Sequence, residues 1–181
     1  MRKVSRLLLF ATVLTVALTA CKGEKKETVS EPATFAFTIY PGSRYLAQLT
    51  DVSKQAWHAA RPTDEVPPMA IYDTDAPVEK VAEFYAKSYG FSPVAPDATN
   101  NLSSAKPPAY YRTGDLATDV KAIAPITEKI KLKVDVAKAV GAYHAAEIDP
   151  KANRPRVTIQ HPYFDVTTSQ VVDRTIILMS R

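Results

Sequence analysis

Apolar residues recur along this chain with two periods, and the switches between them mark out its elements. Phe35, Phe37 and Ile39 alternate with Ala36, Thr38 and Tyr40, which is the period of a strand, and Pro41-Gly42 stops the run. From Ser43 the spacing lengthens. Tyr45, Leu49, Val52 and Ala56, with Leu46 and Trp57 beside them, predict a helix over 44–60, with Ser43 as its N-cap and Pro62 beyond its end. Pro67-Pro68 then introduces a short apolar strand over 69–72. The next helix is the plainest in the chain. Thr74-Asp75-Ala76-Pro77-Val78-Glu79 supplies a capping residue, a first-turn proline and an acid behind it. Val78, Val81, Ala82, Tyr85 and Tyr89 form one stripe with Phe84 at its side, and Gly90 stands where a left-handed residue closes a helix.

Prolines and asparagines make 92–109 a long irregular connection, of a length that is often functional. Gly114-Asp115-Leu116 opens a helix that should run to about Ile123 and break near Pro125. The segment 127–140 carries both signals. Ile130, Leu132, Val134 and Val136 alternate as a strand would, while 138–140 reads as helix, and periodicity alone leaves it open. The last forty residues hold three β-rich runs, 142–148, 157–160 and 175–179, separated by turn-forming stretches. Ile176, Ile177, Leu178 and Met179 are apolar toward both faces, which suits a central strand. The expected fold is an α+β domain over 35–181: an antiparallel sheet of four to five strands with two to three helices on one face, leaving a bare face for function.

The N-terminal segment is patterned for export. Arg2, Lys3 and Arg6 precede an uncharged apolar run from Leu7 to Leu18, and Lys22, Glu24, Lys25 and Lys26 follow it at once. That run is short of the roughly 20 residues a spanning helix needs. It closes on Leu18-Thr19-Ala20-Cys21, which resembles the lipobox of bacterial lipoproteins, and Cys21 is the only cysteine in the chain. The resemblance implies removal of 1–20, a diacylglyceryl thioether and an N-acyl group on Cys21, and a cell-envelope address with the membrane as partner. Lys22 at the next position favours an outer membrane, facing the periplasm. Residues 22–34 hold three Lys, three Glu and one large apolar residue, so they should act as a solvated tether between the lipid and the domain.

Composition excludes several functions. Three of the 23 Lys and Arg residues lie in the segment to be removed, so 20 remain against 19 Asp and Glu. A balanced surface creates no field to gather polyanions, and a nucleic-acid partner has no support. With its one cysteine lipidated, the chain has no disulfide, no redox pair and no thiolate nucleophile or metal site.

Motifs for catalysis are lacking. His58, His144 and His161 have no spacing that would set two ligands on one helix face, so no metal or other cofactor is expected besides the covalent lipid. No Gly-x-Ser-x-Gly elbow occurs, and the glycines are too dispersed to cradle phosphate. Asp73 with Asp75 reads as helix-capping chemistry, and Asp115 with Asp119 as two solvated acids one turn apart. Two aromatic clusters remain, Tyr110-Tyr111-Arg112 and Tyr163-Phe164. Both stand beside loops and would form a binding patch if they shared an exposed surface, but packing at a core margin, which buries the tyrosine ring and keeps its hydroxyl wet, is the favoured reading. The expectation is a membrane-anchored, non-catalytic binding or structural module whose partner is an envelope protein. The alternatives are a carrier of a small apolar ligand between sheet and helices, and a hydrolytic enzyme whose site is assembled from distant residues.

Overall fold

The computed structural model describes residues 37–91, 108–149 and 155–181. The export segment, Cys21, the tether, Phe35 and 92–107 lie outside these. The described chain is α+β. Eight strands, β1 (Arg44–Tyr45), β2 (Met69–Thr74), β3 (Ala109–Asp115), β4 (Ala142–Ile148), β5 (Arg156–His161), β6 (Tyr163–Asp165), β7 (Gln170–Val172) and β8 (Thr175–Ser180), accompany three helices. These are α1 (Ala47–Ala60), α2 (Val78–Ser88) and α3 (Leu116–Lys129). Six strands form one antiparallel sheet in the order β1-β2-β8-β5-β4-β3, while β6 and β7 pair apart from it as a second sheet.

Register divides the residues of each strand between two faces. On one face Ala70, Tyr72, Ala146, Ile148, Val157, Ile159, Ile177 and Met179 meet Val78, Val81, Ala82 and Tyr85 of α2, giving the main core. On the other, Leu49 of α1 packs with Ile71 and Ile176, while Leu116 and Val120 of α3 pack with Tyr143 and Ala145. The helices therefore cover both faces, and the sheet has six strands where four or five were expected. The two added strands were hidden for local reasons: β1 is only two residues long and β3 begins with three buried residues in a row, Ala109 to Tyr111, so neither shows a clean alternation. With both faces covered, the bare working face is corrected too. The β8 strand is central, flanked by β2 and β5, as its two-sided apolar run required.

Other departures have local reasons. Residues 37–40 form no strand; the Tyr40 backbone N–H donates to Tyr85 Oη at 3.1 Å, so the ladder donor is used by a side chain. The first helix starts at Ala47 rather than 44, because Arg44 and Tyr45 pair with Asp73 and Tyr72 as β1. Ser43 is consequently not its cap, and its hydroxyl is buried with no hydrogen-bond partner among the described residues. The α3 helix continues through Pro125 to Lys129. Proline removes one i to i−4 bond there, but Thr127, buried on the next turn, donates from Oγ1 to the Ala124 carbonyl at 2.9 Å and helps hold the turn. Beyond it the alternating segment is no strand. Lys131 adopts φ 57°, Asp135 N–H donates to Ser169 Oγ, and Val134 and Val136 pack on the α3 cluster instead of joining a ladder.

The α2 helix lies where it was expected, with Gly90 at φ 78° closing it, but Pro77 is its N-cap rather than a first-turn residue and no side chain caps it. Asp115 caps α3 by accepting from Thr118 N–H at 3.0 Å.

Candidate functional site

The helices on the second face do not fill it. The buried residues of α1 are Leu49 and Thr50, and no residue from Ser53 to Ala60 is fully buried. Ser53, Ala56 and Ala60 recur at spacings of three and four on one side of that half, so small side chains face a surface that larger ones could have reached. The result is a groove of about 430 Å³ between α1, Ile126 of α3 and the sheet. Its floor is set by register. Ile71, Leu178 and Thr158 lie in one cross-strand row and Met69, Ser180 and Arg156 in the next. Trp57, the only tryptophan, forms the α1 wall. Arg61, one turn on, stacks its guanidinium 4.0 Å from the centre of the Trp57 ring. No Asp or Glu lines the groove. Thr158 is committed, donating from Oγ1 to Glu147 Oε2 at 2.7 Å, and Glu147 is paired with Arg112 at 3.0 Å. The volume falls within the range of about 300 to 1,000 Å³ usual for small-molecule sites, and the apolar floor with a few polar groups has their usual make-up.

A larger hollow of about 770 Å³ lies between the end of α3 and the following 3-10 turn (Val136–Lys138). Lys131, Lys133 and Lys138 on its walls stand with Glu128 and Asp135, so its charges largely cancel, and it has no aromatic anchor. A third hollow, of about 270 Å³, brings two histidines together at the start of α2. His144 and His161 are direct cross-strand partners. His144 Nε2 lies 3.3 Å from Glu79 Oε1 and stacks on Tyr111, while His161 Nε2 lies 3.2 Å from Asp173 Oδ1. Each imidazole is thus turned to its own carboxylate. Among the described residues no group of three His, Cys, Asp or Glu could hold a metal ion. Thr175, the hydroxyl nearest His161, donates to the Ala76 carbonyl at 2.6 Å and is not presented as a nucleophile. His58 stands apart on α1.

The aromatic patch is corrected by burial. Tyr110, Tyr111, Tyr163 and Phe164 are all buried, at 9, 6, 3 and 9 % exposure, so they form no exposed surface. Tyr110 and Tyr111 are neighbours on β3 and face opposite sides of the sheet; Tyr111 joins the main core, Tyr163 packs beside Leu49, and Phe164 beside Leu116. Arg112 is half-buried between Glu147 and Tyr143. Tyr143 in turn donates to Asp119 Oδ2, and burial followed by that carboxylate pushes its phenol pKa up. Asp119 is therefore a partner in this network rather than a merely solvated acid.

Asp73 departs furthest from the sequence reading. It is fully buried and caps nothing. Arg44 donates to both its oxygens, at 3.0 and 2.6 Å, Arg174 donates to Oδ2 at 3.0 Å, and Tyr163 Oη donates to Oδ2 at 3.2 Å. Arg174 also bridges to Asp75. The carboxylate ties β1, β2 and the loop before β8 to the second sheet, which is a structural role.

The groove itself had a faint sequence signal: small residues at Ser53, Ala56 and Ala60 beside the lone Trp57 and, four residues on, Arg61. The floor had none, because it depends on which strands become neighbours. Among the described residues no helix is long and apolar enough to cross a membrane. Comparison with known protein families, curated proteins and solved structures finds no match to this chain.

Proposed function

We propose that this chain is a lipid-anchored cell-envelope protein whose domain binds a small apolar ligand, without catalysis, in the groove between α1, α3 and the sheet. The observation that carries the reading is the incomplete packing of α1 over Met69, Ile71 and Leu178: Leu49 covers part of Ile71, but beyond it the half of α1 from Ser53 to Ala60 lays small residues over the floor and buries none of its own fully. An apolar molecule entering there gains by removing floor and indole from water, at about 25 cal/mol per Å² covered. The anchor at Cys21 supplies two acyl chains through its diacylglycerol, sufficient for stable membrane attachment, so the groove is not needed for holding the membrane.

Trp57 makes the test direct. The full chain carrying Cys21→Ser, which cannot be acylated there, is titrated with the neutral probe N-phenyl-1-naphthylamine. Saturable binding at one probe per chain, with energy transfer from Trp57, is expected. Ala56→Leu, which fills the groove from the α1 side, should weaken it at least tenfold. Absence of saturable binding, or binding untouched by Ala56→Leu in a folded variant, refutes the reading.

A further inference from the structure

We propose that the ligand of this groove is an amphipathic anion, an apolar chain or ring bearing one acid group, with the head held between Arg61 and Arg156. The inference rests on the groove being a ligand site and adds the chemistry of what enters it.

The register places the two cations at one end. Arg156 shares the terminal cross-strand row with Ser180 and Met69, and Arg61 follows the last turn of α1, just before the chain returns to Met69. The groove is therefore polarised along its length: Ile71 and Leu178 offer only apolar contact, and both charges sit toward the row where β2 begins, with Trp57 beside Arg61. The charges are incompletely neutralised. Arg61 has no carboxylate partner among the described residues; its guanidinium lies over the Trp57 ring, and the carbonyl end of α1 holds it there without cancelling it as a carboxylate would. Arg156 pairs with Asp149 at 3.0 Å, but both side chains are about half exposed, at 58 and 47 %, and such a pair contributes little and exchanges readily.

Two further observations agree with an acceptor-bearing head. Trp57 Nε1, in the groove wall, is buried and has no hydrogen-bond partner among the described residues. A buried unsatisfied donor is unfavourable, so an acceptor within its reach would be favoured. Glu147, beside the floor residue Thr158 on the next strand, is occupied by Arg112 and Thr158 and does not oppose an incoming anion as a free carboxylate would. A guanidinium fork matches the geometry of a carboxylate or phosphate oxygen pair, and a neutral ligand would leave both forks unused.

The test compares ligands that differ only at the head. The full chain carrying Cys21→Ser is titrated calorimetrically with dodecanoate and with dodecanol, each below its aggregation threshold, at low ionic strength. Dodecanoate should bind about tenfold or more tightly than dodecanol. Arg61→Gln with Arg156→Gln should abolish that preference by lowering dodecanoate affinity far more than dodecanol affinity; Arg61→Lys, which keeps the charge, should retain most of it. Equal affinity for acid and alcohol, or a preference that survives the double glutamine variant, overturns the head-group assignment and leaves the apolar groove standing. Failure of both ligands to bind overturns the groove reading itself.

Discussion

Replacing Asp73 by Ala tests whether the sheet edge is held by a buried ionic cluster. Asp73 is 0 % exposed and accepts from Arg44, Arg174 and Tyr163. Removing one partner of a buried pair costs about 3 to 5 kcal/mol, because the other charge is stranded. The two arginines differ in how far they are stranded. Arg44 is 63 % exposed and regains water, whereas Arg174, at 27 %, regains little but keeps its bridge to Asp75. The cost from the cations therefore falls near the lower end, about 3 kcal/mol, and the Tyr163 hydroxyl, buried without its acceptor, adds about 1 kcal/mol. A loss of roughly 4 kcal/mol is a large part of the 5 to 15 kcal/mol that holds a typical domain together. At a urea m-value of about 2 kcal/mol/M it moves the unfolding midpoint down by about 2 M. Arg44→Ala should cost under about 1.5 kcal/mol, since Arg174 and Tyr163 remain on the carboxylate. A midpoint shift below about 0.5 M for Asp73→Ala at unchanged m, or equal shifts for the two variants, would falsify this account of the cluster.

Three further outcomes are expected. Gly114→Ala should destabilise the domain by about 1 to 3 kcal/mol in thermal or urea melts, because a Cβ there would stand 2.7 Å from Tyr143 Cε1 and push the ring away from Arg112 and Asp119; an unchanged midpoint would show that the ring is not confined. Burial holds the Tyr85 phenol well above its ordinary value of 10.0, and burial followed by the Asp73 charge does the same for Tyr163. The unfolded chain therefore releases these protons first, so their contribution to stability is intact below about pH 10 and is lost as pH rises from there through the folded values. Urea midpoints measured from pH 8 to 11 should fall above pH 10, less steeply in Tyr85→Phe; a flat profile contradicts the burial argument. If Cys21 is the anchor, Cys21→Ser should move the protein from the membrane to the soluble fraction, and mass spectrometry of the unaltered mature chain should show acylation at that residue; an unacylated Cys21 removes the anchor from the proposal.

Local signals carried part of this protein. The stripe from Val78 to Tyr89 with Gly90 behind it specifies α2 because each turn repeats the same apolar face and the closing residue needs a positive φ, both properties of neighbours in sequence. The two-sided apolar run of β8 likewise announced a central strand. The Leu18 to Cys21 motif sets the expected address in the same local way.

Other features depended on partners far along the chain. Asp73 looked like a cap beside Pro77, and its burial follows from Arg174 and Tyr163, about 100 and 90 residues away, closing around it. The alternation over 130–136 looked like a strand, yet a strand needs a ladder, and this segment was drawn onto α3 instead. Tyr110 and Tyr111 are adjacent in sequence and separated by the thickness of the sheet. The groove is the fullest case. The sequence alone determined that α1 would carry small residues beside Trp57 and Arg61; that Met69, Ile71, Leu178 and Arg156 lie beneath them was decided by strand order and register, because a cavity is a relation between surfaces that the chain brings together only on folding.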